Sequence, residues 1–198
     1  GSNGTTFVDS YLATIGLGAV AVPLNPTSPA PEIEREVATV GAKVVVIEPA
    51  AAAAWHAIDR QTVPTVEHVI AAEDALAGGD ISFDELLQSA PVPVVEVDDD
   101  ALAVMIFTSG TAGSPRAAML SHGNLLANLD QGRHTADPVR PDDVIYGVLP
   151  LFHIFGLNVV LGLALARGAT LLLVQRFDPS TALDTIRETL KSDPLVTV

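Results

Sequence analysis

The chain has no cysteine, which excludes a disulfide framework, a thiolate zinc site and a cysteine nucleophile together. Basic residues are scarce as well. Ten Lys and Arg stand against 24 Asp and Glu, a formal net charge of −14. No basic cluster interrupts that balance, which argues against a protein that neutralises nucleic-acid phosphates. Anionic membrane surfaces would repel the chain as a whole. Long hydrophobic runs are missing too. The longest, residues 154–166, falls short of the roughly 20 residues a membrane-spanning helix needs, and it reads as a buried helix. The opening Gly1-Ser2-Asn3-Gly4-Thr5 lacks the charged-then-apolar layout of a signal peptide and an initiator Met. Gly1-Ser2 reads as a remnant of tag cleavage, so the chain is expected to be a segment of a longer, cytoplasmic protein.

What is present is apolar. The hydrophobic fraction is 48% and the charged fraction 17% over 198 residues, enough for one domain with a sizeable core. Helical periodicity over 7–17 gives way at Gly16 and Gly18 to a short apolar strand at 19–24. A second helix is expected over 28–40, opened by Pro29 and Pro31 and closed by Gly41. A β-branched strand at 43–47, an Ala-rich helix at 50–58 and a strand at 66–70 follow. Ser82-Phe83-Asp84-Glu85 fits a helix capping box. Residues 90–100 read as an exposed connection. Its Asp98-Asp99-Asp100 is expected to be a solvated turn rather than a cation site.

The second half alternates more clearly. Strands are expected at 101–107, 117–120, 144–149 and 169–174, with helices after Ser121, after His153 and over 179–191. Ser121 and Asp178 are the expected caps. Residues 195–198 read as a final strand. Apolar strands alternating with helices predict an α/β fold, a mostly parallel sheet covered by helices on both faces. A chain stopping on a strand predicts an incomplete sheet, exposed strand edges and self-association.

The chemistry concentrates in Thr108-Ser109-Gly110-Thr111-Ala112-Gly113-Ser114-Pro115-Arg116, which follows a buried strand. Its glycines allow close approach of backbone amides to an anion, its hydroxyls add donors, and Arg116 adds a fork of N–H groups suited to phosphate oxygens. Two rival motifs fail by letters. No glycine here is followed by Lys-Ser/Thr at Walker spacing, and Phe107 stands where a nucleophile elbow needs glycine. By composition alone, a plain Ser/Gly surface loop stays open beside the phosphate cradle.

Residues 106–116, continuing into Leu120-Ser121-His122-Gly123-Asn124, resemble the phosphate-loop signature of adenylate-forming enzymes, T-S-G-T-T-G-x-P-K-G followed by S-H-x-N. Three further stretches agree in order. These are Gly18-Ala19-Val20-Ala21-Val22-Pro23-Leu24-Asn25-Pro26, Leu149-Pro150-Leu151-Phe152-His153-Ile154-Phe155-Gly156 and Arg176-Phe177-Asp178-Pro179. The resemblance covers nearly all of 1–198. It is weakest between 50 and 100, where 71–100 forms a connecting region. It implies part of the large N-terminal domain of an AMP-forming acyl-CoA synthetase, with the C-terminal lid domain and the nucleoside motifs absent.

The implied reaction joins a carboxylic acid, by preference a fatty acid, to ATP with Mg²⁺, and passes the acyl group to coenzyme A. Thr108, Ser109, Gly110, Thr111, Ala112, Gly113, Ser114, Pro115 and Arg116 would hold the phosphates. His153 would sit at the carboxylate and adenylate, with Phe152, Phe155, Gly156 and Leu157 shaping the acyl pocket. Ala112, Arg116 and Ala117 stand where the family usually has Thr or Ser, Lys and Gly. Two alternatives stay open: a fatty-acyl-AMP ligase loading a carrier protein, and a non-catalytic anion-binding module that kept the fold. No metal ligand set is expected from the chain itself.

Overall fold

The computed structural model describes residues 2–72, 81–108, 116–175 and 177–192. Helix α1 (Thr5–Gly16) turns one apolar face inward through Phe7, with Val8, Tyr11 and Ile15 packed behind it. Helix α2 (Ala30–Val40) begins at Pro29 and carries Pro31 in its first turn, where missing amide hydrogens cost nothing. Its Ile33 and Val37, one turn apart, are both buried. Gly41 ends it in the left-handed conformation at φ 62°, where a side chain would clash with the backbone.

Strand β1 (Val44–Ile47) pairs in parallel with β2 (His68–Ala71), and β2 in parallel with β3 (Ile81–Ser82). Helix α3 (Pro49–His56) joins the first two. Ile33, Val37, Ile47, Trp55, Val63 and Val69 close a first core between these elements. Helix α4 (Phe83–Leu87) follows Ser82 directly, but the Ser82 side chain makes no capping hydrogen bond. The expected capping box is therefore absent. Residues 91–98 have no regular structure and are exposed, and Asp98 accepts the Ala101 amide at 2.9 Å to close a turn.

A second core lies under β4 (Leu102–Thr108). Ala103 and Val104 are fully buried, and Ile106, Leu151, Leu157 and Leu161 join them. Strand β5 (Arg116–Ser121) runs antiparallel to β4, in register from Thr108↔Arg116 to Leu102↔Ser121 across one irregularity. The other strand pairings among the described residues are parallel, so the sheets are mostly parallel as expected, with β4–β5 the antiparallel exception. The link of residues 109–115 is too short for a parallel crossover, which needs about a dozen residues.

The strand expected at 19–24 shrinks to a single parallel bridge, Ala21↔Val104. Ala21 donates to the Ala103 carbonyl and accepts from the Met105 amide, both at 2.9 Å. Two residues on, Pro23 has no N–H to offer, and the ladder stops.

Helix α5 (His122–Gln131) follows β5. Strand β6 (Val144–Gly147) pairs in parallel with β7 (Thr170–Leu173). Between them run a π-helix (Phe155–Gly162) and α6 (Leu163–Arg167), the latter closed by Gly168 at φ 69°. The run expected to be a buried helix is helical and buries one face. Leu157, Leu161 and Ala164 are buried, whereas Phe155 and Leu165 are more than half exposed. Helix α7 (Pro179–Ser192) starts at Asp178, whose Oδ1 accepts the Ser180 amide at 2.9 Å and the Ser180 hydroxyl at 2.7 Å. Those bonds hold the Asp178 carboxyl below its usual range. Arg176 and the strand expected at 195–198 lie outside the described residues.

Candidate active site

The anion-binding candidate sits at the open end of the β4–β5 hairpin. Burial of Val104 and Ile106 fixes β4, and its last residue, Thr108, emerges into solvent. Arg116 lies opposite and is also exposed. The Thr108 hydroxyl donates to the Arg116 carbonyl at 3.4 Å, a long bond across the loop's neck. Among the described residues no carboxylate lies within ion-pair distance of Arg116. Ser109, Gly110, Thr111, Ala112, Gly113, Ser114 and Pro115 lie outside the described residues.

The far end of the hairpin is tied down at the start of α5. Ser121 Oγ accepts the Asn124 amide at 3.2 Å, and Asn124 Oδ1 accepts the Ser121 amide at 3.1 Å. This reciprocal box satisfies two amides at the helix end. His122 donates its amide to the Ala101 carbonyl at 3.0 Å, and Gly123 donates to Asp99 at 2.7 Å. A Cβ on Gly123 would lie 3.1 Å from both the Asp99 carbonyl oxygen and its Cβ. Ser121, His122, Gly123 and Asn124 thus lock the base of β4 to α5.

The second candidate element is the turn that follows β6. Pro150 accepts the His153 amide at 3.1 Å, and His153 accepts the Leu157 amide at 2.8 Å. Leu151 is fully buried. Phe152 and His153 stack at a tilt of 45°, ring centroids 4.6 Å apart. The His153 ring faces solvent and has no hydrogen-bond partner among the described residues.

Phe155 is 58% exposed, on the same short segment. Gly156 and Leu157 are placed differently: Gly156 is wedged against the Pro150 carbonyl, and Leu157, 1% exposed, belongs to the second core. The structure therefore groups Phe152, His153 and Phe155 as available side chains, with Gly156 and Leu157 as their support. Asn3, which sequence reasoning passed over, holds this turn from behind. Among the described residues, every one of its side-chain partners is 144 or more residues away in the chain. No local pattern signals it.

The profile of the AMP-binding enzyme family matches residues 1–192. The chain belongs to that family. It is 35% identical over 182 residues to 4-coumarate--CoA ligase 5 of Oryza sativa subsp. japonica, covering 89% of the chain and 32% of the ligase. The chain spans about a third of the length of the curated relatives it matches.

Among solved structures, the inhibitor-bound N-terminal domain of FACL13 from Mycobacterium tuberculosis superposes with a TM-score of 0.82. Identity is 29%, over 95% of this chain and 46% of that one. ATP-bound MatB from Rhodopseudomonas palustris gives 0.71 at 30% identity, covering 89% of this chain and 34% of that one. The mixed α/β fold is therefore that of the N-terminal domain of adenylate-forming enzymes.

Within this AMP-binding segment, Ala117 is described. It pairs with Phe107 in the ladder, so a residue with a side chain fits where the family usually has glycine. Among the described residues no helix is long and apolar enough to cross a membrane. No three His, Asp or Glu side chains among them converge on a metal position.

Proposed function

We propose that this chain supplies the phosphate loop and acid subsite of an enzyme that activates a carboxylic acid with ATP and transfers the acyl group to coenzyme A in the cytoplasm. The observation that carries the proposal is the hairpin whose neck, Thr108 opposite Arg116, holds an exposed guanidinium with no carboxylate partner among the described residues, in a chain of the AMP-binding family. A carboxylate oxygen attacks the α-phosphorus, the bond to the bridging oxygen breaks, and pyrophosphate leaves. The coenzyme A thiolate then attacks the acyl carbon and expels AMP.

Two anions meet in the first step on a chain of net charge −14, so local positive charge and alignment carry the catalysis. Thr108, Ser109, Gly110, Thr111, Gly113 and Arg116 hold the β- and γ-phosphates. Ala112, Ser114 and Pro115 complete the loop, and Mg²⁺ enters with ATP as part of the substrate. His153 faces the carboxylate, and Phe152 and Phe155 wall the acyl chain.

A fatty acid is the proposed substrate; the L-P-L-F-H-I-F-G wording of 149–156 favours a fatty or aryl acid over an amino acid. An aryl acid is the rival, favoured by the 4-coumarate ligases among the relatives. Carboxylate-dependent ATP–pyrophosphate exchange decides, run on this chain and on the protein at its relatives' length, with fatty and hydroxycinnamic acids. Exchange in the longer protein with one acid class supports the reading and names the class. Its absence with every acid returns the chain to a non-catalytic anion-binding role. If AMP forms and the acyl group passes only to a carrier protein, the acceptor assignment is wrong.

A further inference from the structure

We propose that Asn3 is the positioning residue of the His153 turn and, resting on the function proposed above, of the acid subsite. Asn3 is 6% exposed. Its Nδ2 donates to the carbonyls of Leu149 and Val174, both at 3.0 Å, and more weakly to that of Gly147 at 3.3 Å. Its Oδ1 accepts the Leu151 amide at 2.9 Å. One carboxamide thus joins the last residue of β6, the turn on both sides of Pro150, and the residue after β7.

The chemistry demands this side chain. Leu149 and Leu151 have left the β6–β7 ladder, so their backbone groups need a partner from elsewhere. Three carbonyl oxygens and one N–H converge on a single point. Only a carboxamide presents two N–H donors and an acceptor within that span. Aspartate has the same shape, but it would set a carboxylate among three carbonyl oxygens with nothing to donate. Alanine would leave a buried amide and buried carbonyls unpaired.

Asn3 is itself fixed in place. It lies two residues before α1, whose Phe7 is anchored in the second core. From the clamped Leu151 amide to His153 only Phe152 intervenes. The direction of the His153 ring is therefore set from the other end of the sequence. The turn's opposite side is closed by Gly156 against Pro150. Neither Thr108 nor Arg116 is among the side-chain partners of Asn3.

The test compares wild type with Asn3→Ala and Asn3→Asp in the protein at its relatives' length. Three readouts are used: amide hydrogen exchange by mass spectrometry, urea unfolding followed through Trp55 fluorescence, and pyrophosphate-exchange kinetics. Trp55 is the single tryptophan of this chain and lies in the first core, so urea unfolding, run on this chain, reports on that core and not on the turn. Both variants are expected to speed exchange about tenfold in peptides spanning 148–153, beyond any change common to the chain. The KM for the acid should rise about tenfold, while the KM for ATP stays within about twofold.

A merely structural Asn3 would behave otherwise. Exchange would rise uniformly, and kcat would fall with both KM values unchanged; either result overturns the proposal. Should wild type itself exchange no pyrophosphate, the proposed function fails. The hydrogen-exchange comparison then still decides whether Asn3 holds the turn.

Discussion

Replacing Gly156 by alanine tests the geometry of the His153 turn with one methyl group. A Cβ built there would lie 2.2 Å from the Pro150 carbonyl oxygen, 2.7 Å from its carbon and 3.0 Å from the Leu149 oxygen. All three are backbone atoms, and none can rotate away as a side-chain tip would. Gly156 has no left-handed φ, so the cost is steric rather than conformational. Relief requires the turn to open, which breaks the 3.1 Å bond from the His153 amide to Pro150. Forcing a methyl into a packed site costs about 1–3 kcal/mol, and the lost hydrogen bond adds roughly 1 kcal/mol. For a chain of this length a loss of about 2–4 kcal/mol lowers Tm by about 5–15 °C.

Far-UV circular dichroism of the chain, heated beside Gly168→Ala as a control, measures it. Gly168 sits at φ 69° with nothing within 4 Å of a built Cβ, so that variant suffers only the left-handed penalty of about 1–2 kcal/mol. Gly156→Ala should therefore melt below Gly168→Ala. If it melts within a degree or two of wild type, the packing of 149–156 described above is wrong.

Other outcomes are expected on the same grounds. Arg116→Ala should slow acyl-AMP formation about ten- to a hundredfold, the worth of roughly 1.5–3 kcal/mol in bonds to a charged group; an unchanged rate removes Arg116 from the phosphate site. Asn158, 5% exposed, donates from Nδ2 to the Leu125 carbonyl at 3.2 Å and to Asn128 Oδ1 at 2.8 Å. Asn158→Ala should cost about 1–3 kcal/mol by leaving buried acceptors unpaired, and denaturant midpoints that match wild type would contradict that pairing. Burial, and then the neighbouring Glu32 charge, pushes the Glu36 carboxyl up from 4.5 to about 7. The folded state thus holds a proton the unfolded chain has released. Stability contributed by Glu36 is full below pH 4.5 and is lost as pH rises through about 7. Glu36→Gln should flatten that fall in urea titrations between these limits, and a slope identical to wild type would argue against a buried neutral carboxyl.

Much of the fold was legible because its signals are local. β-Branched runs gave β1, proline and glycine bracketed α2, and Ser121 and Asp178 cap the helices they precede. The antiparallel β4–β5 pairing was also within reach, since the 109–115 link cannot hold a crossover, but apolar strand content drew the reading towards a parallel sheet. The 19–24 strand failed on one missing proton, that of Pro23. The apolar run 154–166 gave no hint of its exposed face, because it contains no polar stripe to mark one. Site residues were read from their letters. Which of them are available and which are buried support, as with Phe155 against Leu157, is a matter of packing that no spacing encodes.

The two halves of the candidate site consequently differ in what could break them. The loop 109–115 hangs from a hairpin whose pairing is entirely local: β4 and β5 are adjacent in sequence, and Thr108 faces Arg116 by backbone register alone. A change such as Ala112 in that link, or Arg116 at the first position of β5, would on the proposed function tune phosphate contacts while leaving the strand register to the backbone. The His153 turn has the opposite dependence. Its backbone is satisfied by Asn3, 146 residues before Leu149, and closed by the absence of a side chain at Gly156. A substitution at either distant point would disturb the proposed acid subsite while leaving every residue of Leu149-Pro150-Leu151-Phe152-His153 intact. Variation in acid preference is therefore expected to follow positions that touch this turn from behind, and variation in nucleotide affinity to follow the hairpin loop.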